Sequence, residues 1–280
     1  MTNYQRADAH IHLFERGYQG GSFTSRPGVL VDELLCYQSL MKDYHIKAAL
    51  VVGFEGEEWC LKNNDFLAGL IPNHPWIQAL AFCHLDQQAD LMVKLEKWKM
   101  QGFKGLSLYL LNEVDNGNLV KIPEEFWEWV TRHGWLISVN SKGSLWKSWK
   151  NVLEIHPMLK LIVSHLGLPG KCMKPPSEHE ASVILKPLTD LAEYPKVHVK
   201  LSGFYALTEP GHDYPHPAAW PLTKELVNSF GTGRLLWGSD FSPSLDYLSF
   251  PQTFELFEKM PFLKEEEILG ILGENLLRVL

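Results

Sequence analysis

Eight short runs of apolar residues punctuate the chain, at 7–14 (ADAHIHLF), 47–54, 77–86, 102–111, 135–140, 159–167, 197–203 and 234–241. Most are almost continuously apolar instead of alternating, the pattern of strands buried on both faces of a parallel sheet. Longer segments of helical period lie between most of them. The clearest is 29–44, where Leu30, Leu34, Tyr37 and Met41 recur at three- and four-residue spacing beside Asp32, Glu33 and Lys42. Further helices are expected over 86–100, 123–133, 178–193, 216–230, 252–260 and 264–280, several opened by Pro or an Asp/Ser cap and closed near Gly. A weaker one, 145–156, stops before Pro157.

Eight strands alternating with helices within 280 residues predict an α/β chain folded as one (β/α)8 TIM barrel domain over 1–280, with an open doubly wound sheet as the alternative. No composition shift, internal repeat or low-complexity tract marks a second domain. The irregular stretches 15–28, 168–178 and 203–217 all follow strands, so in a barrel they roof the carboxyl-terminal end, where active sites are built.

Charge changes the picture by exclusion. The 26 Lys and Arg against 33 Asp and Glu leave a formal charge of −7, which argues against nucleic acid or an anionic membrane as partner and for a small-molecule substrate. No apolar run reaches the roughly 18 residues of a membrane span, and the polar MTNYQRAD holds no signal-peptide apolar region, so a cytoplasmic location is expected. Cys36, Cys60, Cys83 and Cys172 are widely spaced, without a Cys-x-x-Cys pair, and read as reduced packing residues. A homodimer is compatible with such a barrel, although no stripe in the sequence demands one.

Candidate chemistry collects at strand ends. Asp8, His10 and His12 alternate along the first strand and are expected on one face, where imidazoles can ligate a divalent metal or polarise a carbonyl. Taken alone, the pair of histidines is as readily explained by packing. His165 ends the sixth apolar run, and Asp240 ends the eighth, where a buried carboxylate is costly unless partnered. Ser239, Asp240 and Ser242 are also helix-capping types. Arg16 and Arg26, in the loop after the first strand, are candidates to bind a substrate carboxylate or hydroxyls, and equally fit an ordinary solvated lid. Lys104 and Lys200 lie inside apolar strands, where each is expected to hold a carboxylate partner; for Lys104 contact with substrate weighs evenly with that ion pair. Tyr205, with other aromatic and His residues after the seventh strand, is a candidate pocket wall, which rim packing explains nearly as well.

In combination, DAHIHLF, GFKGLSLY, SHLGLP, VKLSGFY, WGSDF and the terminal GENLLRVL resemble the amidohydrolase superfamily, in its amidohydrolase-2 branch, over essentially the whole chain. HLGLP followed by KLSG is most similar to the lactone hydrolases, the subgroup that includes 2-pyrone-4,6-dicarboxylate lactonase and sugar lactonases. The resemblance implies a hydrolase that opens a small lactone ring, with Asp240 as general base for water and His10, His12 and His165 around the carbonyl oxygen. It requires no cofactor, or one divalent metal such as zinc held by His10, His12 and Asp240; without metal, protonated imidazoles would carry the same electrostatic role. Two departures stand out. Asn140 occupies the strand-five position where metal-dependent members carry His, and GFKGLS replaces a GxRGxR pattern, with Lys104 and Ser107 in place of Arg. The alternative implied by the branch is a metal-dependent decarboxylase or another hydrolase. A phosphoesterase would need further His and carboxylate ligands on strands two to five, which lack such a series.

Overall fold

The computed structural model describes residues 5–19, 31–86 and 88–280, and in it each apolar run contains a strand. These are β1 (Arg6–Ile11), β2 (Ile46–Val52), β3 (Ile77–Phe82), β4 (Gly105–Leu110), β5 (Leu136–Ser141), β6 (Lys160–Val163), β7 (Val197–Leu201) and β8 (Leu235–Trp237). Each pairs in parallel with the next, in the order β1 to β8. A parallel bridge between Ile11 and Phe241, with the Asp240 amide donating to the His10 carbonyl at 2.8 Å, returns β8 to β1. The expected TIM barrel is found, and the open sheet is excluded.

The register explains why the strands are apolar throughout. Ala49, Val51, Leu106, Leu108, Ile137, Val139, Leu161 and Val163 point outward into the layer shared with the helices. Their neighbours Leu50, Val52, Leu80, Leu136, Ile162 and Leu236 point inward and pack with Ala7, Ala9, Leu276 and Val279 to close the barrel floor. Nearer the carboxyl ends the interior turns polar, with Ser107, Ser138, Lys200 and His10 all fully buried.

Several details depart from expectation. The sequence pattern predicts no helix between β2 and β3, yet Asn63–Leu70 forms one. It has two turns, and its Gly69 and polar first turn dilute any periodicity. Those polar residues have a structural use. Asn63 donates to the Leu13 carbonyl (2.8 Å) and accepts from the Phe54 amide (3.1 Å), while Asn64 exchanges two bonds with Phe82 (2.9 and 2.8 Å), so the ends of β1, β2 and β3 are tied together. A second unexpected helix, Glu113–Val120, follows β4 and is capped by Asn112. The terminal helical segment breaks into Glu265–Leu269, a π-turn at Gly270–Glu274 and Asn275–Val279.

β6 and β8 end earlier than their apolar runs. His165 (φ 51°) and Asp240 (φ 56°) both adopt left-handed backbone, which takes them out of strand geometry just past the last paired residue. For a residue with a Cβ this conformation costs on the order of 1 kcal/mol, and it persists where the surroundings over-determine it. Among the described residues no helix is long and apolar enough to cross a membrane. Burial pushes the Cys83 thiol up to about 12, in keeping with a packing residue, whereas Cys36 is exposed.

Candidate active site

The DAHIH segment does not hold all three of its expected groups, Asp8, His10 and His12, on one face. Asp8 pairs with Ala49 and Ile11 with Val51, so three steps along β1 match two along β2, and a β-bulge lies between them. The bulge leaves His10 and His12 pointing into the barrel mouth and turns Asp8 outward against α1 (Glu33–Asp43). Asp8 there accepts from the Tyr37 hydroxyl (3.0 Å) and from the amides of His10 (3.1 Å) and Ser239 (2.9 Å). It latches β1 to the loop after β8. Burial still raises its carboxyl to about 6.

His10, His12 and Asp240 meet at the carboxyl ends of the strands. The two Nε2 atoms lie 3.2 Å apart, and each faces Asp240 Oδ1, at 3.7 Å from His10 and 3.8 Å from His12. The other carboxylate oxygen, Oδ2, accepts from the Tyr205 hydroxyl at 2.7 Å. His12 Nδ1 lies 2.7 Å from the Val52 carbonyl, which can only accept, so Nδ1 carries the proton. His165 completes the group: its ring centre is 4.5 Å from that of His10, and its Nδ1 is 3.0 Å from Ser202 Oγ. Tyr205 and the four groups named as catalytic in the sequence are therefore brought together.

Two glycines make this possible. A Cβ at Gly238 would lie 2.7 Å from His10 Cβ, and one at Gly203 (φ +69°) would lie 2.6 Å from His165 Nδ1. The short residues in WGSDF and KLSG leave room for the imidazoles, a signal present in the sequence but readable only once the partners are known. Glu33, buried at the start of α1, accepts from the amides of Phe14 and Tyr18 (2.8 Å each) and from the Ser242 hydroxyl, which clamps the β1 loop to the β8 loop beside Asp240.

Burial holds His10 well below the ordinary imidazole range, lowers His12 to about 4 and lowers His165 as well, which favours uncharged rings over the protonated imidazoles expected of a metal-free site. Behind His10 lies Lys200. It is fully buried, and its Nζ contacts Ser138 Oγ (2.7 Å) and His10 Nδ1 (3.1 Å), partners that are a hydroxyl and an imidazole where a carboxylate was expected. Desolvation lowers its ammonium to about 7 against the opposing pull of Asp240 and Asp8.

The remaining candidates scatter. Lys104 precedes β4 and is exposed at the amino end of the barrel, opposite the histidines, because the apolar run begins one turn earlier than the strand. It lies apart from the histidines, and the buried ion pair expected of it is not formed among the described residues. Arg16 is exposed in a turn of the β1 loop, and Arg26 lies outside the described residues. Asn140 is buried on β5, its Nδ2 without a hydrogen-bond partner, and Ser107 Oγ on β4 is buried and unpartnered too. An aromatic wall rises over the mouth: Phe14 stacks on His12 and meets Trp59 edge-on, Tyr18 meets Trp59, and Phe54, Phe82 and Tyr109 cluster beyond.

A model of the amidohydrolase family matches residues 7–280. The chain belongs to the amidohydrolase family. This amidohydrolase is 33% identical over 92 residues to L-fucono-1,5-lactonase of Burkholderia ambifaria; the match covers 32% of the chain and 28% of that enzyme's length. Its fold is that of a zinc-bound amidohydrolase from Burkholderia multivorans, with a TM-score of 0.77 at 18% identity over 98% of each chain. A probable 2-pyrone-4,6-dicarboxylic acid hydrolase of Acinetobacter baumannii, bound to citric acid, superposes with a TM-score of 0.72 at 15% identity, again over 98% of both chains.

In this amidohydrolase the two Nε2 atoms and the Asp240 oxygen all lie within 4.8 Å of one another, and the donor set of two imidazoles and a carboxylate suits a divalent cation such as zinc. By distance and donor type the residues fit such an ion.

Proposed function

We propose that this amidohydrolase opens a small, hydroxyl-bearing lactone ring by adding water to the ring carbonyl. The observation that carries the reading is the placement of Asp240. Its carboxylate sits at the closed end of an aromatic mouth, with one oxygen toward both histidine Nε2 atoms and the other bonded to Tyr205. An ionised carboxylate so placed is suited to take a proton from water, and general-base catalysis of this kind contributes about 10²–10⁴-fold.

The neighbours divide the remaining work. His12 keeps its proton on Nδ1 for Val52, so its Nε2 is a bare acceptor that orients the attacking water beside Asp240. His165 and His10 border the space where the carbonyl oxygen's charge develops, and the ammonium form of Lys200 behind His10 would lower the energy of that charge in a site shielded from solvent. Tyr205 donates to Asp240 Oδ2 and holds the carboxylate with Oδ1 toward the mouth. When ring opening expels the alkoxide, the proton held by Asp240 is available to it. If a divalent metal is bound, His10, His12 and Asp240 would hold it, and it would supply Lewis-acid polarisation of the carbonyl.

Two features favour a sugar-derived ring over a pyrone dicarboxylate. The wall is built from Phe14, Tyr18, Trp59 and Tyr109, which suit stacking on a ring, and the orphaned Asn140 Nδ2 is a group that a substrate hydroxyl would satisfy. The relation to an L-fucono-1,5-lactonase supports the same class. The test is hydrolysis of a panel of sugar lactones and pyrone carboxylates, before and after chelation, by wild type and Asp240→Asn. Hydrolysis of a sugar lactone, reduced about 10²–10⁴-fold in the variant, is the expected result. Turnover near wild-type level in Asp240→Asn would remove the proposed base, and activity confined to decarboxylation would replace the reading.

A further inference from the structure

A chain of four hydrogen bonds runs through the floor of the mouth, and its direction is set at one end by a group that cannot donate. The Val52 carbonyl accepts, so His12 carries its proton on Nδ1 and its Nε2 is a lone pair. His10 Nε2 lies 3.2 Å from that lone pair. Were both atoms bare, two lone pairs would face each other in a buried site; the contact is a hydrogen bond only if His10 carries its proton on Nε2. His10 Nδ1 is then bare and requires a donor, and the group 3.1 Å away is Lys200 Nζ. Ser138 Oγ, 2.7 Å from Nζ, holds the lysine in place from the other side.

We propose that Lys200 is a positioning residue that, together with the His12 lone pair, holds His10 as the Nε2–H tautomer, so that His10 offers the mouth a hydrogen-bond donor and withholds the lone pair a metal ion would need. The same heavy atoms serve either state of the site, and the lysine adds to the cost of the metal-bound one. A cation held by both Nε2 atoms requires His10 to move its proton to Nδ1, where Lys200 Nζ already donates; the metal must displace that bond or draw a proton off the lysine so that its amine accepts instead. With Lys200 donating, the resting N–H of His10 is shared with His12, and a carbonyl oxygen seated in the mouth takes it over. The use of that donor in catalysis rests on the lactonase reading. The tautomer and its effect on metal binding do not.

The experiment is long-range ¹H–¹⁵N correlation of ¹⁵N-histidine-labelled protein at neutral pH, together with titration of zinc(II) alone into chelator-treated enzyme. Wild type is expected to show a protonated Nε2 and a bare Nδ1 at His10, and to bind zinc weakly. In Lys200→Met, which removes the donor and keeps an apolar chain of similar length, zinc affinity is expected to rise about 10–100-fold, the range over which partners of metal-ligating histidines act. A wild-type His10 protonated on Nδ1 overturns the proposal by itself, without need of a folded variant. So does a folded Lys200→Met with unchanged zinc affinity. Should the shifts and zinc data come out as expected while no lactone is hydrolysed, the lactonase reading falls and the tautomer assignment stands.

Discussion

Gly238→Ala probes how closely β8 must approach His10. The added Cβ would sit 2.7 Å from His10 Cβ, 3.1 Å from Ser202 Cβ and 3.2 Å from the His10 amide nitrogen. Carbon atoms rest at about 3.5–4.0 Å, so about 1 Å of separation must be found. None of the three neighbours is the free end of a flexible side chain: one is backbone, and two are Cβ atoms fixed by β1 and by the segment that follows β7. The strands must part or His10 must shift. Overpacking of this kind costs about 1–3 kcal/mol, and at about 2–4 °C per kcal/mol for a chain approaching this size the melting temperature should fall by several degrees. A 1 Å misplacement in an active site costs on the order of 100-fold in rate, so kcat/KM on a responsive lactone should fall by about that factor. Gly233→Ala, where a Cβ meets nothing within 4 Å, is the control for adding a methyl elsewhere on the same segment. Differential scanning fluorimetry and initial rates read both effects. A Gly238→Ala protein with wild-type melting and wild-type rate would show that His10 is not held by this contact, and the account of the site's geometry would fail.

Acidification should destabilise the fold. Burial depresses His12, His198 and His216 to about 4 from 6.5 and lowers His10 and His165 too, so the stability due to their neutral forms is complete above 6.5 and is lost as pH falls toward 4. Asp8, raised from 3.8 to about 6, and Glu55, also raised by burial, act in the opposite sense but are two groups against five. The melting temperature should therefore fall between pH 7 and 5, and a flat or rising profile would contradict the buried neutral imidazoles. Tyr37→Phe removes the hydroxyl that donates to Asp8 Oδ2 and should cost about 1–3 kcal/mol in urea denaturation; an unchanged midpoint would mean the Asp8 latch bears no strain.

The barrel was legible because its cause is local and repeated. Strands buried on both faces must be apolar along their whole length, and eight such runs separated by helical periods leave few other arrangements. The helix Asn63–Leu70 escaped because its first turn is spent on tying loop backbones, so its residues follow the demands of Leu13, Phe54 and Phe82 rather than a helical period. His10, His12, His165 and Asp240 were legible as chemistry because polar groups at the ends of apolar strands are expensive without a purpose. Lys104 and Lys200 looked alike by the same argument. One step of strand boundary separates them in space: Lys104 falls before β4 and meets water, while Lys200 falls inside β7 and reaches Ser138 and His10.

By itself, then, the sequence determined the fold class and the set of side chains that had to find partners, since both follow from hydrophobic period and the cost of burying polar groups. Only the tertiary structure decided how those side chains are used. The bulge in β1 depends on pairing with β2 and sends Asp8 away from the histidines it alternates with. The neutrality of the imidazoles depends on enclosure by the whole barrel. The partner of Lys200 comes from a strand 190 residues away in the chain, and no local pattern encodes a contact made by closing a ring of eight strands.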